Sequence, residues 1–262
     1  MFVLRRCLAH AMGMLALLWL FLAGAALSHA SQVTVAVAAN FLEPIEHLTP
    51  QFEAASGHTL RIVSGSTGKL YAQIVNGAPF DVFLSADQVR PERLVADGLA
   101  EESSRFTYAT GRLVLWSADA ARDLTDGSKV LAGQEFRKLA IPNPQLAPYG
   151  AAARQVLERL GVWTALQGRI VMAENVGQTY ALVASGNAEL GFVSASSVLS
   201  ANTQQRGVSW SPRGEDHTPI RQDAVVLKRA TDKSAARAFA AFLRGDAARE
   251  VLQRFGYKVE GG

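Results

Sequence analysis

The chain has 262 residues, 49% of them apolar, with 26 Lys and Arg against 23 Asp and Glu and a formal charge of +3. Charge this balanced and scattered lacks the basic stripe that nucleic-acid binding requires. The single cysteine, Cys7, lies in the N-terminal segment, so the rest of the chain has no disulfide, thiolate metal site or cysteine nucleophile.

Arg5 and Arg6 precede an apolar run from Leu8 to Leu27 that is broken only by His10, Gly13 and Gly24, and Ser28-His29-Ala30 follows. A short basic region, an apolar run and small residues before a cleavage point are the order of a secretory signal peptide, expected here over residues 1–30. The run approaches the roughly 20 residues that span a bilayer, so an uncleaved anchor is the rival reading. Cleavage before Ser31 leaves 232 residues with 24 basic and 23 acidic side chains, a charge of +1. That length and composition suffice for one large core or two small ones.

Val33 to Ala38 reads as a first strand. Asn40 and Glu43 have the spacing of a capping box for a helix through Ile45, Leu48 and Phe52, which Gly57 ends. Leu60–Val63 is a second strand, and Ser64-Gly65-Ser66-Thr67-Gly68 leads from it into a helix that carries Leu70 and Ile74. Asp81–Ser85 is a third strand, followed by a helix from Pro91 to Ala96. Strands alternating with helices over short connections predict a mostly parallel sheet with both faces covered. A second unit starts near Leu113–Trp116 and holds strands at Leu139–Ile141, Ile170–Met172 and Gly191–Val193. Its helices are expected from Tyr149 to Leu160 and from Gly177 to Ser185. Ala224–Leu227 is strand again, and two helices, from Ala235 and from Ala247, close the chain. The expected division is a first lobe of residues 31–112 with 224–262 and a second lobe of residues 113–223. The strands near Leu113 and Gln222 are expected to cross between them.

In parallel sheets, ligands bind beyond the carboxyl ends of strands, where helix N-termini offer unpaired N–H groups. The residues at those ends are Ala39-Asn40, Ser66-Thr67, Asn143 through Tyr149-Gly150, and Glu174 through Gly177. Asn40, Ser66, Thr67 and Tyr149 donate hydrogen bonds without carrying charge, and Lys69 is the nearest cation. Neutral donors suit a fully ionised oxyanion, since no donor there needs an anion that still carries a proton. Taken singly, each has a plainer reading: Asn40 as a helix cap, Ser66 and Thr67 as helix starts, Tyr149 as cover for the sheet, Lys69 as a solvated side chain. A phosphate loop is excluded, because that pattern needs glycine where Val63 stands and Ser or Thr where Leu70 stands.

No G-x-S-x-G elbow is present, and His47, His58 and His217 form no H-E-x-x-H pattern. Asp81, at the start of a buried strand, reads as a support for neighbouring backbone.

Over nearly all of the chain after residue 30, the sequence resembles the periplasmic molybdate-binding proteins of bacterial ABC importers, which have the type II solute-binding fold. The resemblance is carried by Val35 through Phe41, Ser64 through Gly68, Gln73 through Asp87, Asn143-Pro144 with Ala147 through Gly150, and Asn175 through Gln178. The stretch from Gly77-Ala78-Pro79 to Ser85-Ala86-Asp87 is its most specific part. It implies a two-lobed α/β clamp that closes on molybdate or tungstate, needs no cofactor, has no catalytic activity, and docks as a monomer on a membrane permease. By position it implies ligand contacts from Ala39, Asn40, Ser66, Thr67, Tyr149 and the Val176 backbone. Relatives often carry serine where Thr67 stands and, at the first-strand position, where Asn40 stands. Another branch has alanine where Tyr149 stands and takes its tyrosine from the position that is Ser194 here. Sulfate, phosphate or a ferric complex is the alternative cargo, and an exported enzyme of related fold is the alternative class.

Overall fold

The computed structural model describes residues 30–199 and 207–259, so the expected signal segment, apart from Ala30, lies outside the described residues. β1 (Gln32–Ala38), a 3-10 turn (Ala39–Phe41), α1 (Leu42–Ser56), β2 (Thr59–Gly65), α2 (Thr67–Val75), β3 (Val82–Leu84) and α3 (Val89–Ala96) come first. β4 (Phe106–Gly111) passes through Arg112 into β5 (Leu113–Ser117), α4 (Gly127–Gly133), β6 (Leu139–Pro142), α5 (Pro148–Arg159) and α6 (Trp163–Leu166). β7 (Ile170–Ala173), α7 (Val176–Ala184), β8 (Leu190–Ser194), α8 (Ala195–Leu199), β9 (Val208–Trp210), β10 (Ile220–Val226), α9 (Lys233–Phe242) and α10 (Asp246–Arg254) follow.

These strands make two five-stranded sheets, β2-β1-β3-β10-β4 and β7-β6-β8-β5-β9. Each has three parallel strands at one side, joined to an antiparallel strand: β10 against β3 in the first sheet, β5 against β8 in the second. Strand side chains alternate between faces. Val33, Val35 and Val37 therefore meet Phe41, Ile45, Leu48 and Phe52 on one face of the first sheet, while Ala36, Phe83 and Val225 meet Leu70, Ile74 and Leu94 on the other. Burial on both faces accounts for the continuous apolar strands. The second sheet has its own core around Leu115, Trp116, Ile141, Val156 and Phe192.

Three expectations need correction. β10 begins at Ile220 and lies wholly in the first sheet, four residues before the expected return at 224; the polar run Arg221-Gln222-Asp223 masked its start, although Gln222 and Asp223 are buried. β5 and β10 do not cross between lobes: one ends the passage through Arg112 and the other follows the segment from Ser211 to Pro219. Asn40 does not cap α1, whose N-cap is Phe41 and has no side-chain cap bond. Asp81 does support backbone: its carboxylate accepts the N–H groups of Thr34 and Thr231, each at 2.7 Å.

Candidate oxyanion site between the lobes

Four helical starts follow parallel strands and face one small cavity. From the first lobe, the turn after β1 brings Ala38, Ala39 and Asn40, the end of β2 brings Gly65, Ser66 and Thr67, and Ala86 follows β3. From the second, the start of α5 brings Ala147, Pro148 and Tyr149, and the start of α7 brings Asn175 and Val176. All six residues expected at a ligand from the sequence thus line one space. None of its walls carries a charged side chain. The first N–H groups of a helix have no intrahelical acceptor and sit at the positive end of the dipole, so this convergence favours an anion.

The side chains divide by how their donors are spent. Ser66 is the N-cap residue of α2, in extended conformation, yet makes no capping bond. Its hydroxyl is buried with no hydrogen-bond partner, an unusual condition for a buried polar atom. Thr67 Oγ1 accepts the N–H of Ala86 at 3.2 Å, which leaves its own proton to donate. Tyr149 is buried, and its oxygen accepts from Gln222 Nε2 at 3.4 Å. Burial, followed by the neighbouring phenols of Tyr257 and Tyr108, pushes the Tyr149 pKa well above the ordinary tyrosine value, so the phenol stays protonated near neutral pH. Gly111 must be glycine for this placement, since a Cβ there would lie 2.1 Å from the Tyr149 hydroxyl.

Asn40 differs from its expected use. Its amide nitrogen donates to Gln222 Oε1 at 2.8 Å and to the Tyr257 hydroxyl at 3.0 Å, so what it can offer the cavity is backbone N–H. Val176 is the first residue of α7, whose cap is Asn175 accepting from the N–H of Gln178 at 3.0 Å. Ser194 does not line the cavity; its hydroxyl is paired with Ser197 at 2.8 Å.

The lobes meet at the rim. Gly68 N–H donates to the Leu146 carbonyl at 2.8 Å, Arg90 Nη2 donates to the Gln145 carbonyl at 3.2 Å, and Lys69 pairs with Glu174 at 2.8 Å. Lys69 is therefore a bridge at the rim rather than a lone solvated cation. A wider groove, lined in part by Arg90, Gln155 and Arg221, adjoins the cavity through Ala86, Ala147 and Pro148. It holds no orphaned buried side-chain atom, which is why the small cavity is the better candidate.

Sequence reasoning missed Gln222, Tyr108 and Tyr257, which form a buried polar cluster behind the cavity. The available signal was a Gln-Asp pair leading directly into the apolar run Ala224–Val226, because buried polar groups need partners. Among the described residues, no group of three or more His, Cys, Asp or Glu is placed to hold a metal ion.

Residues 33–258 match the model of the bacterial extracellular solute-binding protein family. The chain belongs to this family. Within it, the sequence is 45% identical to the molybdate-binding protein ModA of Azotobacter vinelandii over 233 residues, covering 89% of this chain and 92% of that one. It is 42% identical to ModA of Rhodobacter capsulatus, covering 88% and 90%. The solved periplasmic molybdate-binding protein of A. vinelandii superposes with a TM-score of 0.84 at 44% identity, covering 87% of this chain and all of that one. The sulfate-binding protein SubI of Mycobacterium tuberculosis shares the fold, with a TM-score of 0.73 at 14% identity. Membership makes this chain a solute-binding protein of the two-lobed type II fold and not an enzyme.

Proposed function

We propose that this protein captures molybdate or tungstate outside the cytoplasm and delivers it to the membrane permease of an ABC importer. The observation that carries the reading is the unpartnered, buried Ser66 hydroxyl at a charge-free cavity ringed by helix starts. Ser66, Thr67 and Tyr149 would supply side-chain donors, and Ala39, Asn40 and Val176 main-chain N–H groups. Hydrogen bonds to a charged acceptor contribute about 1.5–3 kcal/mol each, so five to seven of them can offset the dehydration of a dianion. Binding makes and breaks no covalent bond, and no cofactor enters it. The relatives named for molybdate support the choice of cargo, since they match this chain over nearly its whole described length.

Export and action as a monomer are part of the same reading. The N-terminal pattern supports export, and among the described residues no helix is long and apolar enough to cross a membrane. The lobes would close on the ligand and present a joined surface to the permease. Calorimetric titration of the purified protein with molybdate, tungstate, sulfate and phosphate tests the proposal. One-to-one binding of the first two with silence from the others supports it. Silence from all four, or preference for sulfate or phosphate, would sink it.

A further inference from the structure

Resting on the reading above, we infer that Gln222 is a positioning residue that fixes the direction of the Tyr149 hydrogen bond and thereby selects for anions that carry no proton. The direction is set by a chain of buried bonds that begins at a group whose role cannot change. The Asn40 carbonyl is an acceptor only, and the Tyr257 hydroxyl donates to it at 2.7 Å. The other acceptor for that proton is the Ser196 hydroxyl at 3.2 Å. Either choice leaves the Tyr257 oxygen to accept from Asn40 Nδ2. The second hydrogen of that amide points to Gln222 Oε1, and the Tyr108 hydroxyl, 2.9 Å from the same oxygen, shares its one proton between it and the Ser85 carbonyl at 3.1 Å. The Asn40 donor on Oε1 holds the Gln222 amide one way round, so Nε2 faces Tyr149 as a donor. The Tyr149 oxygen is then occupied as an acceptor and its proton is what it can offer a ligand.

None of Gln222, Tyr108 and Tyr257 lines the cavity, so their effect on the anion is indirect. Gln222 is fully buried, and its bonds leave no freedom for the amide to turn over. Without an anion, the nearby Tyr257 oxygen is the competing acceptor for the Tyr149 proton. A dianion displaces it, because charge-assisted hydrogen bonds are the stronger kind. A site that only donates cannot accept the proton of hydrogen phosphate, so an anion bearing one is disfavoured by an unpaired donor facing a donor.

The test is Gln222→Glu, which keeps the shape and an acceptor for Asn40 and Tyr108 but replaces the donor to Tyr149 with an acceptor. The phenol then donates to the new carboxylate and turns its lone pairs toward the cavity. Molybdate affinity should fall about tenfold or more, and the ratio of molybdate to phosphate affinity should fall with it. In a Tyr149→Phe background the same change should alter molybdate affinity by less than about threefold, because the coupling runs through the phenol. Equal losses in both backgrounds would show that the added charge acts directly and would overturn the inference. So would a folded Gln222→Glu protein that binds like the parent. Should that variant fail to fold, Tyr257→Phe removes the start of the chain and reads the same property. It should lower the molybdate-to-phosphate ratio, and an unchanged ratio overturns the inference. A parent protein that ignores molybdate would instead sink the proposed function.

Discussion

The two walls of the cavity hold their donors in different ways. In the first lobe, Ser66 and Thr67 carry short side chains fixed by the backbone at the start of α2, and the one restraint on Thr67 comes from Ala86 of the same lobe. In the second lobe, Tyr149 reaches out on a long side chain, and its hydroxyl is held by Gln222 of the first sheet and shaped by Gly111 beside it. The first wall is complete in itself, whereas the second is tuned from across the cleft. Similar sheet topologies therefore do not imply equivalent contributions to a shared site.

The largest effect is expected from taking one donor out of each wall. Thr67→Val with Tyr149→Phe should cost about 3–6 kcal/mol of molybdate binding in calorimetry, two charge-assisted bonds at once. The melting temperature should fall modestly, because the change leaves the Ala86 N–H and Gln222 Nε2 without their acceptors, and an unaltered affinity would remove both residues from the site. Ser66→Ala should lose about 1.5–3 kcal/mol of binding. Because its hydroxyl is an orphan without ligand, the unliganded protein should be no less stable to denaturant, and a loss of stability would contradict that.

Next comes the contact between the walls. A Cβ on Gly68 would lie 3.0 Å from the Leu146 carbonyl and 3.1 Å from Arg90 Nη2. Gly68→Ala should weaken binding by about 1–3 kcal/mol through strain confined to the closed form. Small-angle scattering with saturating molybdate should then show a larger open fraction than the parent. Lys69→Ala should change affinity by no more than about 1 kcal/mol, since its bridge to Glu174 is half exposed. That small loss should vanish at high salt.

The smallest effect is that of pH. Burial is the first cause of the raised pKa values of Tyr108 and Tyr149, and it pushes Tyr257 up to about 12. A raised folded-state value means that the phenols' contribution to stability is fully present below the unfolded value near 10 and is lost as pH rises through the folded values. Denaturant titrations should show no tyrosine-linked loss between pH 7 and 9 and a decline above 10. A decline beginning near pH 8 would contradict the burial of these hydroxyls.

Much of the fold was legible because its signals are local. Alternating or continuous apolar runs marked most strands, and the helices α1, α2, α5 and α7 fell where the period changed. β4 was missed because Thr107-Tyr108-Ala109-Thr110 carries no continuous apolar run, and its tyrosine faces a core that only the folded chain creates. α4 begins and ends on glycine, which hid it. At the cavity, Asn40, Ser66, Thr67 and Tyr149 were marked by their place after strands, whereas Ala39 and Val176 entered through the resemblance, and all six line the one space. The use of the Asn40 side chain was not legible. A capping rule looks three residues ahead, whereas its amide bonds to partners 182 and 217 residues away. Long-range polar partners have no short-range period to betray them.

The place of β10 in the first sheet has a consequence in time. It lies between β3 and β4, although most of a second lobe separates it from both in the chain. The strands of the second sheet run from residue 113 to 210 without interruption by the first, so that lobe has all its strands as soon as the chain has reached Trp210. The first lobe must wait for β10 and for Tyr257, and pairings so distant in sequence form slowly. A chain entering its compartment N-terminus first would thus build the second wall early and orient Tyr149 last. Competence to hold the anion would arrive as a late, single event in the maturation of the molecule.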